Sequence, residues 1–478
     1  MKNISLTKRD LGLSMSCCLL LGVQNLAVQA QSGMAGSQAL KATAAVRQIA
    51  PVTVRNTTNN VVQTTSNSVK AQTMQSNAGI PSSTPIDVTP VDSKSTKLTG
   101  SALQIDEAEK VIPLSAEQMQ KAEASIVGKY KGSWQMFMQN PCHTGVYDLT
   151  SLPTGKMHWT FPAEGPIDSS PAVVHGVVYV GSDDANVYAV DERNGSMLWH
   201  TRLGDKVKSS PAVMDGVLYV GCEDKSLYAL DARSGKILWN FATQDRVSSS
   251  PVIMDGVVFV GSWDGFLYAV DCKTGVLKWK FQTGMTSDSR ITSAPSIAPD
   301  VVLVASHNGS LFCLNSSNGA LRWQFKTGGK IFATPLVMGA FVYFGSWDKN
   351  FYAVDLATGK QKWKYPGAEF FSVTAAGANN RIFVENDDLK MYCLDAATGK
   401  MLWKTPMNSP TPFLSSAPAV AGTMLYCGSP DANVWAIDTR NGGIKWKFKT
   451  QRPIISSPAL SPSGIFVGSQ DGNLYQVN

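Results

Sequence analysis

The residues with chemical potential in this chain recur along it instead of clustering. Asp184, Asp224, Asp264, Asp348, Asp388, Asp431 and Asp471 stand about forty residues apart or at multiples of that interval, with Asn308 in register. A ring of carboxylates could hold a divalent cation through oxygen ligands. The same side chains close tight turns by bonding their own backbone, and turn chemistry is the expectation here. Asp191, Asp231 and Asp271, at the ends of apolar runs, read the same way. No Gly-x-Ser-x-Gly elbow, Walker loop or His-Glu-x-x-His occurs, and Cys142-His143 lacks the first cysteine of a haem motif. No catalytic residue, metal set or cofactor is expected, and an enzyme is not.

A second set of residues varies where the rest repeats. Five residues before a recurring proline the chain carries Pro166, Lys206, Arg246, Arg290, Lys330, Phe370, Phe413 and Pro453. The next position is always apolar: Ile167, Val207, Val247, Ile291, Ile331, Phe371, Leu414 and Ile454. Its uniformity marks it as core, while the first column belongs to a loop. The turns expected on the same face carry Trp263, His307 and Trp347. Lys206, Arg246, Trp263, Arg290, His307, Lys330, Trp347, Phe370 and Phe413 therefore form a candidate partner-binding sector, since Trp and Arg anchor protein interfaces. The competing reading is solvated charges with aromatics capping the core, and His307 alone reads as a turn residue. Arg193, Arg233 and Lys273 fall on the opposite face.

These residues must be positioned by a repeat. Gly followed four residues later by Trp occurs eight times, ending at Trp159, Trp199, Trp239, Trp279, Trp323, Trp363, Trp403 and Trp446. A Ser/Ala/Thr pair precedes Pro171, Pro211, Pro251, Pro295, Pro335, Pro418 and Pro458, with Ala375 in the missing place. A third marker, seen in full at Gly261–Asp271, runs in phase with both. Each period divides into four short strands, in the second repeat about Pro211–Met214, Val217–Val220, Leu227–Leu230 and Ile237–Phe241. Four strands in about forty residues is a propeller blade. The first Trp strand, Gly155–Phe161, has no blade in front of it, and the last repeat stops at Asn478 before reaching one. Pairing the two predicts an all-β, eight-bladed propeller closed by an N-terminal strand that completes the last blade.

The pattern Ser-Ser-Pro … Val-Tyr-Val-Gly-Ser … Leu-Tyr-Ala-Leu-Asp … Gly-Lys-Ile-Leu-Trp resembles the PQQ-like propeller repeat of the quinoprotein alcohol dehydrogenase superfamily, over about residues 155–478. Trp134-Gln135-Met136-Phe137 with His143-Thr144-Gly145 looks like the segment preceding such propellers. The resemblance implies one of two branches. One holds enzymes with pyrroloquinoline quinone and calcium above the ring, and the other holds non-enzymatic scaffolds, among them the outer-membrane assembly factor BamB. The enzymes resemble one another in adjacent cysteines over the quinone and in long insertions. Here the adjacent pair, Cys17 and Cys18, lies in an N-terminal apolar segment, and the Trp intervals leave no room for a lid. The non-enzymatic branch is therefore expected. Trp263-Asp264 and Trp347-Asp348 sit in turns and do not make WD40 repeats.

Upstream, Lys2, Lys8 and Arg9, the apolar run Leu11–Val23 and the small residues of Val28-Gln29-Ala30 read as a signal peptide over 1–30. That run is short of the about 20 residues a membrane span needs, and Ser14-Met15-Ser16 before Cys17 makes no lipobox. Residues 31–128 read as a disordered Ser/Thr/Gln/Ala-rich linker with a short helix near 116–127, started by a capping box at Ser115 and Gln118. The propeller occupies 129–478. A formal charge of +6 is too mild to indicate nucleic acid. Cys313, Cys393, Cys427 and Cys222 replace strand or turn residues as small core groups, while Cys142 and Cys272 are expected to be exposed. The whole reads as an exported, monomeric, non-catalytic scaffold for a protein partner, with outer-membrane protein assembly as one version. A quinone-dependent oxidoreductase and a carbohydrate or cell-surface binding module are the alternatives.

Overall fold

The computed structural model describes residues 133–149, 151–407 and 416–478, with the helical positions Lys121 and Ser125. All lie in the compact unit Ile105–Asn478. The expected signal peptide, the linker and the rest of the helix near 116–127 fall outside the described residues, as do Phe413 and Leu414.

Each repeat folds into one four-stranded antiparallel sheet. In the second blade the strands are Ala212–Met214, Val217–Cys222, Ser226–Asp231 and Ile237–Ala242. Aromatic and β-branched residues make them, and Asp215-Gly216, both at positive φ, makes the tight turn between the first two. First strands of neighbouring blades touch, so they line the axis, and the ring contains eight blades. Second and third strands are buried along most of their length, whereas fourth strands alternate exposed and half-buried at the rim. The eighth blade takes its fourth strand from the N-terminal side: Met157–Pro162 pairs antiparallel with Asn473–Val477, Phe161 opposite Leu474. The ring is closed as the truncated ends of the array imply.

The markers are the contacts between blades. Each marker Trp donates its indole N–H to a backbone carbonyl of the next blade, as Trp199 does to Ala232 at 3.0 Å and Trp446 does to Pro153 at 3.0 Å. The marker Gly of that next blade lies on the same ring. Gly235 has φ 71, and a Cβ there would stand 2.6 Å from the Trp199 ring, so only glycine fits. The residue before the proline supplies a second belt. Ser170 N–H donates to the Ser210 hydroxyl, Ser210 to Ser250, Ala294 to Thr334, Thr334 to Thr374, Ala417 to Ser457, and Ser457 to Ser170, at 2.9–3.0 Å. The last link crosses the closure. Ala294 and Ala417 carry no hydroxyl, so Ser250 and Thr374 find no acceptor of this kind there.

The leader before the first blade has a structural role that periodicity could not show. It runs inside the ring and pairs with successive first strands, whose inward N–H groups would otherwise form open edges. Val213, Ile297, Val337, Gly377 and Val420 donate to the carbonyls of Gln135, Pro141, Cys142, Thr144 and Gly145 at 2.7–3.0 Å, and Trp134 exchanges two bonds with Val173. Val146–Tyr147 then adds a parallel strand to the seventh blade. His143 is fully buried within it, its ring nitrogens 3.0 Å from Phe137 O and 2.7 Å from Pro295 O.

One expectation is corrected. All six cysteines of the propeller region are buried and unbridged, including Cys142 and Cys272. Cys142 is covered because the leader lies within the ring, and its thiol donates to Ile297 O. Cys272 is the residue whose carbonyl receives both Tyr219 and Trp239 at a blade interface. Among the described residues no helix is long and apolar enough to cross a membrane.

Candidate functional site

The two variable columns meet on one face because antiparallel strands alternate direction. Loops entering each blade and turns between second and third strands therefore share an end, and backbone bonds stitch them together. Glu223 N–H donates to Lys206 O, Trp263 to Arg246, His307 to Arg290, Trp347 to Lys330 and Asp387 to Phe370, all at 2.9–3.0 Å. The apolar column beneath is fully buried at every described position, from Ile167 to Ile454. It fixes the height of the loop residue above it.

From the third to the sixth blade the face carries a nearly unbroken run of rings and cations. Arg246 and Arg290 lie 5.3 and 4.9 Å from the Trp263 ring, contacts worth about 0.5–2 kcal/mol each. His307 packs on Phe332 with centroids 4.0 Å apart, Phe332 stacks on Trp347 at 4.4 Å, and Trp347 on Phe370 at 5.2 Å. Lys349 ends the run over Phe370. Trp263 and Trp347 donate their indole N–H to Ser248 and Ser372, and Ser372 in turn donates to Asp387 at 2.7 Å. Burial, with Glu369 and Asp388 nearby, pushes the Asp387 carboxyl up to about 6 despite that bond. Burial and the adjacent Lys330 and Arg290 pull His307 down to about 4, so its ring is neutral at pH 7.

Phe332, Lys349, Ser372 and Asp387 were not among the expected residues. Phe332 sits three residues before the proline, where other blades carry Asp168, Lys208, Ser248, Thr292 and Ser372, and a position that varied gave no periodic signal. Phe413 lies outside the described residues. Three of the four basic members have acidic partners. Lys206 pairs with Asp183 at 3.0 Å, Arg246 faces Glu223 at 3.7 Å, and Lys330 pairs with Asp288 at 2.7 Å. The arc of cations is thus largely neutralised by its neighbours. The repeated turn acids do what turns require: Asp264 accepts from Phe266 N–H, from Gln244 N–H of the incoming loop and from the Tyr268 hydroxyl. A cavity of about 900 Å³ opens on the opposite face between the first and second blades, lined by Gln135, Leu198, Trp199, Met214 and Arg233 among others. None of the stacked residues reaches it.

Two families match parts of the chain: "Beta-alanine-activating enzyme, beta-propeller" over residues 164–365, and "Outer membrane protein assembly factor BamB" over residues 366–478. The chain is a propeller of PQQ-like repeats. Among solved structures, this PQQ-like propeller is similar to BamB from Moraxella catarrhalis (19% identity, TM-score 0.59, covering 67% of this chain and 99% of that one). A europium-containing methanol dehydrogenase is similar as well (18%, 0.63, 73% and 92%). So is a quinohemoprotein alcohol dehydrogenase from Comamonas testosteroni (14%, 0.63, 75% and 83%). At these identities the likeness establishes the fold, which enzymes and non-enzymes share. Comparison with curated proteins finds no match. The face of this PQQ-like propeller does not fit a flat quinone above a divalent ion. Its half-buried rings are engaged with one another or with guanidinium groups. Among the described residues, no three His, Cys, Asp or Glu side chains converge as such an ion requires.

Proposed function

We propose that this protein is an exported, monomeric, non-catalytic scaffold that binds a protein partner through the face bearing Arg246, Trp263, Arg290, Lys330, Trp347 and Phe370. The observation that carries the reading is the run of stacked rings and guanidinium groups over the third to sixth blades. Half-buried Trp and Arg, held rigid by stacking and by indole bonds, give up little entropy on association. Assembly of outer-membrane proteins is the concrete version, supported by the match of residues 366–478 to the BamB family and by the likeness to Moraxella catarrhalis BamB. Export rests on the signal-peptide reading of residues 1–30. The test is a pull-down from the native envelope with Trp347→Ala/Phe370→Ala beside the opposite-face control Arg193→Ala/Arg233→Ala. The first pair should lose the partner and the second keep it. Equal recovery overturns the reading.

The second reading, a quinone-dependent oxidoreductase, is favoured by the likeness to two dehydrogenases. Incubation with pyrroloquinoline quinone and calcium decides it: the scaffold reading expects no shift in melting and no dye-linked alcohol oxidation.

A further inference from the structure

We infer that the outer edge of the seventh blade takes up an extended acidic segment of another polypeptide as an added strand. The inference concerns the rim and stands apart from the stacked face. Fourth strands end their sheets at the rim, and in each of them three alternate side chains point to solvent. From the third to the seventh blade, ten of these fifteen positions are Lys or Arg and none is Asp or Glu. On the eighth, first and second blades Arg202 is the one Lys or Arg among nine. Charges on an edge strand guard it against pairing with its own kind. That need is the same on all eight edges, whereas the charge is confined to five, so protection alone does not account for it.

The charge is densest on the seventh blade. In its strand Ile444–Lys449 all three outward positions, Lys445, Lys447 and Lys449, are exposed lysines. The strand has no proline, unlike the fifth and sixth blades, whose outer strands end in Pro366 and Pro406. Lys445 faces Asp438 at 3.3 Å, a carboxylate that also pairs with Arg440 at 2.7 Å. Lys447 lies over the Trp435 ring, 3.4 Å from its centroid, and neither it nor Lys449 has an acidic partner among the described residues. One edge of the strand is taken by Asn433–Asp438, with Trp435 opposite Lys447 and Asn433 opposite Lys449. No other backbone group among the described residues bonds it, so the outer edge is open. Alternating N–H and C=O groups along that edge match another main chain and not a lipid headgroup. Lysines two residues apart stand roughly 7 Å from one another, the spacing of every second side chain on an extended partner. Asp or Glu at alternate positions therefore meets them as cross-strand pairs, while a basic segment is repelled. The neighbouring basic strands draw an acidic segment toward this edge.

The test uses the full chain and a labelled dodecapeptide alternating Glu and Thr, with Gln replacing Glu in its uncharged twin. Fluorescence anisotropy at low salt should show the Glu peptide binding at least about tenfold tighter, with the ratio falling as salt rises. Lys447→Gln/Lys449→Gln should erase that ratio. His200→Gln/Arg202→Gln, at the corresponding positions of the first blade, should leave it unchanged, as should Trp347→Ala/Phe370→Ala on the stacked face. Two further Glu peptides, N-methylated at every Thr or at every Glu, each lose the donors of one edge, and at least one should fall to the affinity of the Gln twin. Equal affinity for Glu and Gln peptides on the unmodified protein, or full affinity of both methylated peptides, overturns the inference whether or not the variants fold. Phosphatidylglycerol vesicles that hold the protein in the absence of any preference for Glu put a lipid surface in place of the segment and overturn it as well. Loss of the Glu preference in Trp347→Ala/Phe370→Ala puts the peptide on the stacked face and counts against the rim.

Discussion

Replacing Thr334 with Val tests whether the hydroxyl belt holds the ring together. Thr334 is 3% exposed, and its Oγ1 accepts the Ala294 N–H of the preceding blade at 3.0 Å while its own N–H donates to Thr374 Oγ1 at 3.0 Å. Valine keeps the shape and removes the acceptor, leaving a buried amide unbonded at a cost of about 1–3 kcal/mol. Thr334→Ser keeps the acceptor and loses one methyl group, about 0.8 kcal/mol. The reverse change, Ala294→Ser, offers Ser250 N–H an acceptor in an interface that has none of this kind, a gain of about 0.5–1.5 kcal/mol. Urea unfolding followed by tryptophan fluorescence gives the midpoint for each variant at constant slope. The expected order is Ala294→Ser above the parent, Thr334→Ser slightly below it and Thr334→Val lowest. Equal midpoints for the valine and serine variants refute the belt as a source of stability.

Three further outcomes follow from the geometry. The Asp387 carboxyl, raised from 3.8 to about 6, binds its proton more tightly in the folded state, so its contribution is full below pH 4 and is lost as pH rises to 6. Asp387→Asn should flatten that decline in urea midpoints and leave the protein up to about 3 kcal/mol more stable at pH 7, whereas an unchanged pH profile contradicts the assignment. Arg246→Ala takes from the buried Glu223 one of its two nearby cations, leaving Lys208, and should cost about 1–3 kcal/mol, with Glu223→Gln restoring most of it; no recovery in the double variant argues against the pair. Removing residues 1–165 takes away both the leader inside the ring and the strand Met157–Pro162, and should give aggregated protein. A soluble 166–478 fragment with unchanged melting contradicts closure.

The fold was legible because each marker has one physical task that recurs around the ring. Gly-x-x-x-Trp recurs because the Trp ring leaves the next blade room only for glycine, as at Trp199 and Gly235. The hydroxyl before proline recurs because it bonds the neighbouring blade. The leader was visible as a motif but not as the lining of the ring, since it occurs once and has no period to read. That is why Cys142 was expected outside and lies inside. The candidate face was legible as positions: the column of Lys206, Arg246 and Arg290 and the column of Trp263 and His307 are joined by backbone bonds. Its electrostatics were not. Arg246 reads as a free cation until Glu223, on the blade before, is seen beneath it. Phe332, which bridges His307 and Trp347, stands in a column of mixed residue types where it is the one aromatic, and became visible only through contact.

Site-specific photo-crosslinking tests the central claim most directly. A photoreactive residue is placed at Lys349, exposed at the end of the stacked rings, and in a second protein at Arg233, exposed on the opposite face. Both proteins are irradiated in the native envelope. A discrete protein adduct should form from position 349 and disappear when Trp347→Ala is added, while position 233 gives none. An adduct of equal yield from both positions, or from 233 alone, contradicts the assignment of this face as the binding surface.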